Sequence, residues 1–467
     1  MKIVDIVSAG SGGWHTLGLG AARALAEADV IYYDQLMESS ILCLAQPSCQ
    51  FVDVGKRAGA HSAAQQDICE AMVASAREGK KVLRLKGGDA NLFGRLTEEV
   101  EALKAAGVPF RVLSGTTSAS VAASEIGFSL TSRRRARGLT FCTTSSADGT
   151  YEPAWQALAQ LDHTLVFYMS LKDLPTLAQK LIAHGKEADC PLLLASDVGM
   201  SSQRWIKGTL GKAVQTQEAG NITAPALIFV GEGLNLIVEP KALPLAGLCF
   251  YLPQLSRRAD VLAQPLRALG GVVYQWPVVE ERALEPTFWP KKEEALFFSS
   301  PSAVEAFVAS MPQDSDLRDL RGALFAPGAS TLKKLRDFGL RGEVVDEALL
   351  PSPICFIGNL QNSAYQRAKE RGLEARSLAL FAQKPGVLPS FLTEALQQRV
   401  QYVLFTSAFQ VEAFCAQSEA RPLALCIGPK TAARAAERGF ETKVAATPTF
   451  EGLVALACQE AGERRSS

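Results

Sequence analysis

The 467-residue chain balances 48 Lys plus Arg against 48 Asp plus Glu, and its 48% hydrophobic and 21% charged content is that of an ordinary globular protein. Net neutrality excludes bulk attraction to nucleic acid or to an anionic membrane, so any anionic ligand must be held by local basic clusters. At about 100–200 residues per domain, the length predicts three or four domains.

Ten cysteines run from Cys43 to Cys458 without a C-x-x-C pair, and there are four histidines, so no zinc ribbon or other metal site is expected. The opening MKIVDIVSAG lacks a long apolar run before a small-residue cleavage site, and no stretch reaches the roughly 18 apolar residues of a membrane span. The reading is a cytoplasmic protein with free thiols.

In chain order, Ile3–Val7 reads as a buried strand, followed by a glycine-rich loop and a helix through Ala21–Ala28. Strands are predicted at Val30–Tyr33, Val82–Leu85 and Phe110–Leu113, with a helix over Glu98–Ala106. This alternation predicts an α/β fold with a largely parallel sheet. Leu165–Tyr168, Pro191–Ala195 and Ala226–Val230 extend the pattern into a second sheet-based unit. Pro240, Pro244 and Gly247 break periodicity, making 239–247 the expected linker between 1–238 and 248–460. Beyond it the chain repeats itself. Phe297-Phe298-Ser299-Ser300 with Val304 and Phe307 recurs as Leu404-Phe405-Thr406-Ser407 with Val411 and Phe414. In each copy a second strand, a glycine turn and a helix follow, the helices ending at Gly339 and Gly439. Two similar α/β lobes with a cleft between them follow from the duplication, a common place for a ligand.

Two glycine loops carry the first candidate chemistry. Ser8-Ala9-Gly10-Ser11-Gly12-Gly13 follows a strand, and Asp34 ends the next one, as in a dinucleotide fingerprint. His15 occupies the place of the third glycine, which disfavours a nicotinamide dinucleotide. Lys86-Gly87-Gly88-Asp89 closes the strand Val82–Leu85, where α/β ligands sit, although a bare GGD triplet is equally an ordinary tight turn.

An ordered set of motifs resembles the uroporphyrinogen-III C-methyltransferases over about residues 1–235. It runs Tyr33-Asp34, Val54-Gly55-Lys56-Arg57-Ala58-Gly59, His61-Ser62, Val82 to Asp89, Phe93-Gly94-Arg95, Gly107-Val108-Pro109-Phe110, Thr117-Ser118-Ala119, Val166 to Met169 and Gln203-Arg204. The resemblance implies two α/β domains with S-adenosylmethionine bound between them and a tetrapyrrole acceptor. By position, Gly10, Ser11, Gly87, Gly88, Asp89, Leu92, Thr117, Ser118 and Met169 line the donor site, with a further contact at Val198. Asp34 and Lys56 match the family's acid–base pair, suited to removing a proton after an electron-rich pyrrole carbon takes the methyl group. The family also implies a homodimer through this half.

The chain departs from that pattern. Gly10-Ser11-Gly12-Gly13 replaces Gly-Pro-Gly-Asp, Ala90 replaces a proline, and Thr131-Ser132-Arg133-Arg134 and Thr143-Thr144-Ser145 replace histidine-bearing stretches. Arg133, Arg134, Arg135 and Arg137 form a basic run, read either as a solvated loop or as a dock for acceptor carboxylates.

The second half, about 246–460, resembles uroporphyrinogen-III synthase through the two Ser/Thr-Ser strands, Ile427-Gly428-Pro429-Lys430-Thr431 and Thr447-Pro448-Thr449-Phe450. That resemblance implies cofactor-free closure of hydroxymethylbilane by two lobes, one from 248–281 with 383–460 and one from 282–382. Ser299, Ser300, Thr406, Ser407 and Thr431 are expected to face substrate carboxylates. Tyr251-Leu252-Pro253 stands for the family's Thr-Arg-Pro, and Phe381 stands where a tyrosine is expected. Together the halves suggest a bifunctional enzyme making uroporphyrinogen III and methylating it to precorrin-2, for siroheme or cobalamin. Two rivals are a methyltransferase for a later corrin precursor, and a non-catalytic tetrapyrrole-binding half attached to an active synthase.

Overall fold

A computed structural model describes residues 2–55, 65–144, 151–238, 240–254 and 260–466. Lys56, with the 57–59 and His61-Ser62 motifs, falls outside the described residues, as do Ser145 and Glu239.

Among the described residues the strands form four sheets, the last two interleaved along the chain. The first comprises β1 (Val4–Ser8), β2 (Val30–Tyr33), β3 (Gln50–Asp53), β4 (Val82–Lys86) and β5 (Phe110–Leu113), in spatial order β3-β2-β4-β1-β5, every pairing parallel. β2 and β4 are buried along their whole length, as parallel strands covered on both faces must be. The second sheet contains β6 (Gly138–Thr143), β7 (His163–Tyr168), β8 (Pro191–Ser196), β9 (Arg204–Thr209) and β10 (Ala226–Val230). It is mixed rather than parallel: β10 runs antiparallel to both β7 and β8, and β9 antiparallel to β8. The expected strands are all present. β3, β6 and β9, which the sequence does not announce, lack fully buried runs; β9 has exposed and half-buried positions only.

In the second half, β11 (Cys249–Gln254) and β12 (Val272–Pro277) begin a third sheet. The chain then builds a fourth from β13 (Val279–Ala283), β14 (Ala295–Phe298), β15 (Leu324–Ala326), β16 (Glu343–Val344), β17 (Ile354–Asn359) and β18 (Ala375–Pro385). It returns to the third sheet with β19 (Tyr402–Phe405), β20 (Leu423–Cys426) and β21 (Thr442–Val444). Both sheets are parallel except for the β13–β18 edge. The sequence repeat is a structural repeat: β14 and β19 each feed a helix, Pro301–Ala309 and Ala408–Cys415, whose N-caps are Ser300 and Ser407. The helices Ala329–Asp337 and Pro429–Glu437 stop before Gly339 and Gly439, both left-handed (φ +76° and +84°), the conformation that glycine adopts without steric cost.

The two halves share a core. Leu42, Met37 and Leu85 of the first sheet's layer belong to one buried cluster with Tyr251, Tyr274, Trp276 and Phe391 of the third sheet's layer. Phe51 meets Trp276 and Phe391 edge-on, with ring centroids 5.9 and 5.0 Å apart. The helix Ser390–Gln398 buries Phe391, Leu392, Ala395 and Leu396, spaced as one apolar stripe. In the connecting segment 240–244 is exposed, whereas Leu245 is buried and its amide bonds the Leu269 carbonyl.

Candidate functional site

β1 and β4 are neighbours, so their C-terminal glycine loops emerge side by side. They are tied by reciprocal bonds, Gly10 N to Gly88 O at 3.1 Å and Gly88 N to Gly10 O at 2.9 Å. Both glycines have positive φ, +72° and +73°. Open space surrounds the position of a Gly88 side chain, which leaves that stretch of backbone accessible. Gly87 is different: a Cβ there would lie 2.5 Å from the Leu36 carbonyl oxygen. Ser11 is buried, and its hydroxyl has no hydrogen-bond partner among the described residues.

Asp34, at the end of β2, joins this loop pair. Its carboxylate accepts from the Leu36 amide (3.1 Å) and from the Gly87 amide (3.2 and 3.4 Å), and lies 3.6 Å from the Arg84 guanidinium. Behind it is a buried charge cluster that the sequence reading did not identify. Arg84 and Lys86 alternate with Leu83 and Leu85 along β4, so both cations project to one face. There they converge on one oxygen of Glu99, at 3.0 Å from Arg84 Nε and 2.8 Å from Lys86 Nζ. Burial, and then Arg84, pulls the Lys86 ammonium below its ordinary pKa. Two charged residues in a central, fully covered strand were the available signal for this cluster.

A second group of expected residues gathers around Tyr168. Thr117 caps the helix Ser118–Ile126, and its hydroxyl lies 2.6 Å from the Tyr168 hydroxyl, which also accepts from the Ala119 amide at 3.3 Å. Burial raises the Tyr168 pKa, so it remains a neutral phenol. Leu92 and Val198 pack in the same cluster as Tyr168, and the Phe93 ring is 5.1 Å from it. Met169 is exposed, with φ +57°. Phe93, Arg95, Met169 and Asp197 all adopt left-handed backbone, and such strain concentrates at ligand sites. Asp89 is occupied locally, accepting from the Asn91 amide and side chain. A Cβ on Gly10 would lie 2.8 Å from Thr116 Oγ1 and one on Gly199 2.5 Å from the Gly12 Cα, so the first glycine loop lies against the segments next to Thr117 and Val198. Arg133, Arg134, Arg135 and Arg137 are exposed around the turn closed by Ser132 and Ala136.

In the second half the expected hydroxyls are engaged with the fold. Ser300 and Ser407 accept from the amides of Ala303 (3.2 Å) and Gln410 (3.3 Å), Ser299 donates to the Ile357 carbonyl (3.0 Å), and Thr406 donates to Gln410 Oε1. Thr431 is buried. They order the starts of helices at the carboxyl ends of parallel strands, where main-chain amides favour anions. Phe381 lies in the core, paired with Ala283 across the β13–β18 edge.

A third feature spans the halves. Glu38 is 1% exposed, and one carboxylate oxygen accepts from the Tyr274 hydroxyl at 2.8 Å and faces Arg399 at 3.5 Å; the other has no hydrogen-bond partner among the described residues. Burial, with Glu38 next, raises the Tyr274 pKa well above the usual phenol range, so it stays a donor.

Residues 4–214 match the family of Tetrapyrrole (Corrin/Porphyrin) Methylases, and residues 362–455 match Uroporphyrinogen-III synthase HemD. The siroheme synthase of Stutzerimonas stutzeri (strain A1501) is 41% identical over 233 residues, half of each chain. The chain spans about half the length of several such siroheme synthases. A uroporphyrin-III C-methyl transferase structure from Thermus thermophilus, complexed with S-adenyl homocysteine, is 32% identical, covering 50% of this chain and 100% of that one with a TM-score of 0.44. The uroporphyrinogen-III C-methyltransferase of Bacillus subtilis (strain 168) is 35% identical over 351 residues, 72% of both chains. By that match the chain belongs to the uroporphyrinogen-III C-methyltransferase family of tetrapyrrole methylases, with a uroporphyrinogen-III synthase domain in the same chain.

Proposed function

We propose that the chain is a bifunctional enzyme of tetrapyrrole biosynthesis. Its C-terminal half, 248–460, closes hydroxymethylbilane to uroporphyrinogen III. Its N-terminal half, 1–238, methylates that product toward precorrin-2, for siroheme or cobalamin, with S-adenosylmethionine as donor. The ten free cysteines are consistent with a reducing cytoplasm.

The carrying observation is the placement of Asp34. Its carboxylate is anchored to the Gly87 amide beside two bridged glycine loops, 3.6 Å from the Arg84 guanidinium. The residues suit the donor. The Ser11 hydroxyl, partnerless among the described residues, is available to a polar group, the open space beside Gly88 leaves room for the ligand, and Leu92 and Val198 supply apolar surface. S-adenosylmethionine, when bound, supplies a methyl group activated by its sulfonium. The chain's own part is to orient the acceptor and to take the proton that the macrocycle must shed once a pyrrole carbon has taken the methyl group, a task for Asp34. In the second half, helix starts ordered by Ser300 and Ser407 offer amides to substrate carboxylates.

The test is mass spectrometry of the products formed from hydroxymethylbilane and S-adenosylmethionine, with Asp34 variants alongside. The wild type yields a methylated uroporphyrinogen III. Asp34→Asn keeps an oxygen for the Leu36 and Gly87 amides, so donor affinity holds while methylation falls about 10²–10⁴-fold. Asp34→Ala also loosens the Gly87 loop and weakens donor binding. A cyclised but unmethylated product from the wild type overturns the methyltransferase assignment. Unchanged turnover in both variants removes Asp34 from proton transfer.

A further inference from the structure

The segment 34–40 begins with Asp34 and ends at Glu38, Ser39 and Ser40, and it is held from both sides. On the methylase side, Leu36 backs Gly87 so closely that no Cβ fits between them. A Cβ on Gly13 would lie 3.3 Å from Glu38 Cγ, so Glu38 also lies against the first glycine loop. On the other side is the synthase-like half. Tyr274 bonds both Glu38 (2.8 Å) and Ser39 Oγ (3.0 Å), and Arg399 faces Glu38. The guanidinium of Arg267 lies 4.1 Å above the ring of Trp14, in the first loop. A cleft of about 110 Å³ has Asp34, Gln35 and Asp53 on one wall and Glu394, Gln398 and Arg399 on the other.

Among the described residues, the only hydrogen-bonding and ion-pair partners of the Glu38 carboxylate come from the other half of the chain. A buried carboxylate without them is strongly unfavourable, so the rest position of 34–40 depends on Tyr274 and Arg399. Gly13, where the methylase family carries aspartate, is the position at which a side chain would meet Glu38. The loss of that loop carboxylate therefore coincides with the seat of the second half.

We propose that Tyr274 and Arg399 of the synthase-like half are positioning residues for methyl transfer: by holding Glu38 they fix the segment that carries Asp34 and supports the Gly87 loop. The assignment rests on the methyltransferase reading above. The site's geometry is then a property of the whole chain, and the synthase-like half acts as a structural part of the methylation centre.

The experiment uses full-length variants Tyr274→Phe, Arg399→Met and Arg399→Lys, with three readouts. These are methylation kcat and KM on uroporphyrinogen III, calorimetric affinity for S-adenosylhomocysteine, and cyclisation of hydroxymethylbilane with the melting temperature as fold controls. Tyr274→Phe and Arg399→Met lower methylation kcat about 10–100-fold, the cost of a displaced reacting group, while cyclisation is retained. Affinity for S-adenosylhomocysteine falls about tenfold. Arg399→Lys recovers most of the loss, because a cation still reaches Glu38. Should Tyr274→Phe lose both activities by misfolding, Glu38→Gln/Tyr274→Phe decides, since it removes the buried charge with its donor. Folded variants with wild-type kcat and wild-type affinity overturn the proposal. If the wild type does not methylate, the functional reading fails, and the affinity arm alone judges the positioning role.

Discussion

Glu99→Gln is the sharpest perturbation of the buried charge cluster. Glu99 is 0% exposed, and one of its oxygens accepts from Arg84 (3.0 Å), Lys86 (2.8 Å) and Gln65 (3.2 Å). With Asp34 it balances two buried cations. Glutamine preserves the shape and one acceptor oxygen but leaves the cluster with an unmatched positive charge, and breaking a buried pair in this way costs about 3–5 kcal/mol. The retained acceptor favours the lower end of that range. The new amide N–H₂ works the other way, because the second Glu99 oxygen has no partner among the described residues and a buried donor left there costs about 1–3 kcal/mol. We expect a loss of about 3–5 kcal/mol at neutral pH, measured by urea unfolding against the wild type. The sign of its pH dependence follows from Lys86. Burial already holds its folded pKa below the ordinary 10.5, and losing Glu99 lowers it further. The penalty for a buried ammonium is full below the folded pKa and fades as pH rises toward the unfolded value. The deficit relative to wild type must therefore shrink in alkaline urea titrations. A deficit below about 1 kcal/mol at neutral pH, or one that grows with pH, would refute the account of the cluster as a compensated set of buried charges.

Two further predictions are independent of it. Gly87→Ala places a methyl 2.5 Å from the Leu36 carbonyl and should abolish calorimetric binding of S-adenosylhomocysteine, whereas Gly88→Ala meets no atom and costs only about 1–2 kcal/mol of left-handed strain in an unfolding titration. Equal losses at the two sites would contradict the backing role of Leu36. Burial raises the thiols of Cys49, Cys142, Cys355 and Cys426 from 9.0 to about 12. Their contribution to stability is complete below the unfolded pKa and lost as pH rises through the window from 9 to about 12, so melting temperatures should drop steeply there. Rapid alkylation of those four thiols in the native protein at neutral pH would exclude this explanation.

The order of elements was legible because it depends on local pattern. Runs such as Val82–Leu85 and Pro191–Ala195 can be stable only between two covered faces, and the duplicated Ser/Thr-Ser strands announced two copies of one unit. The glycine loops and Asp34 were legible for a related reason: each ends a strand, and strand ends at one edge of a parallel sheet share a neighbourhood. β9 was not, because a strand with half-buried and exposed positions has no distinctive run. The caps at Ser300 and Ser407 were not legible as caps, since both hydroxyls were read as facing substrate and a hydroxyl at a helix start first satisfies the helix. Only the tertiary structure decided the rest. Glu38 meets Tyr274 across 236 residues of sequence, and Glu99 collects Arg84 and Lys86 only once its helix lies over β4. Local propensity carries no information about such partners. They are selected by the packing of one layer on another, where a buried charge is tolerated only if an opposite charge or a donor arrives from elsewhere in the chain.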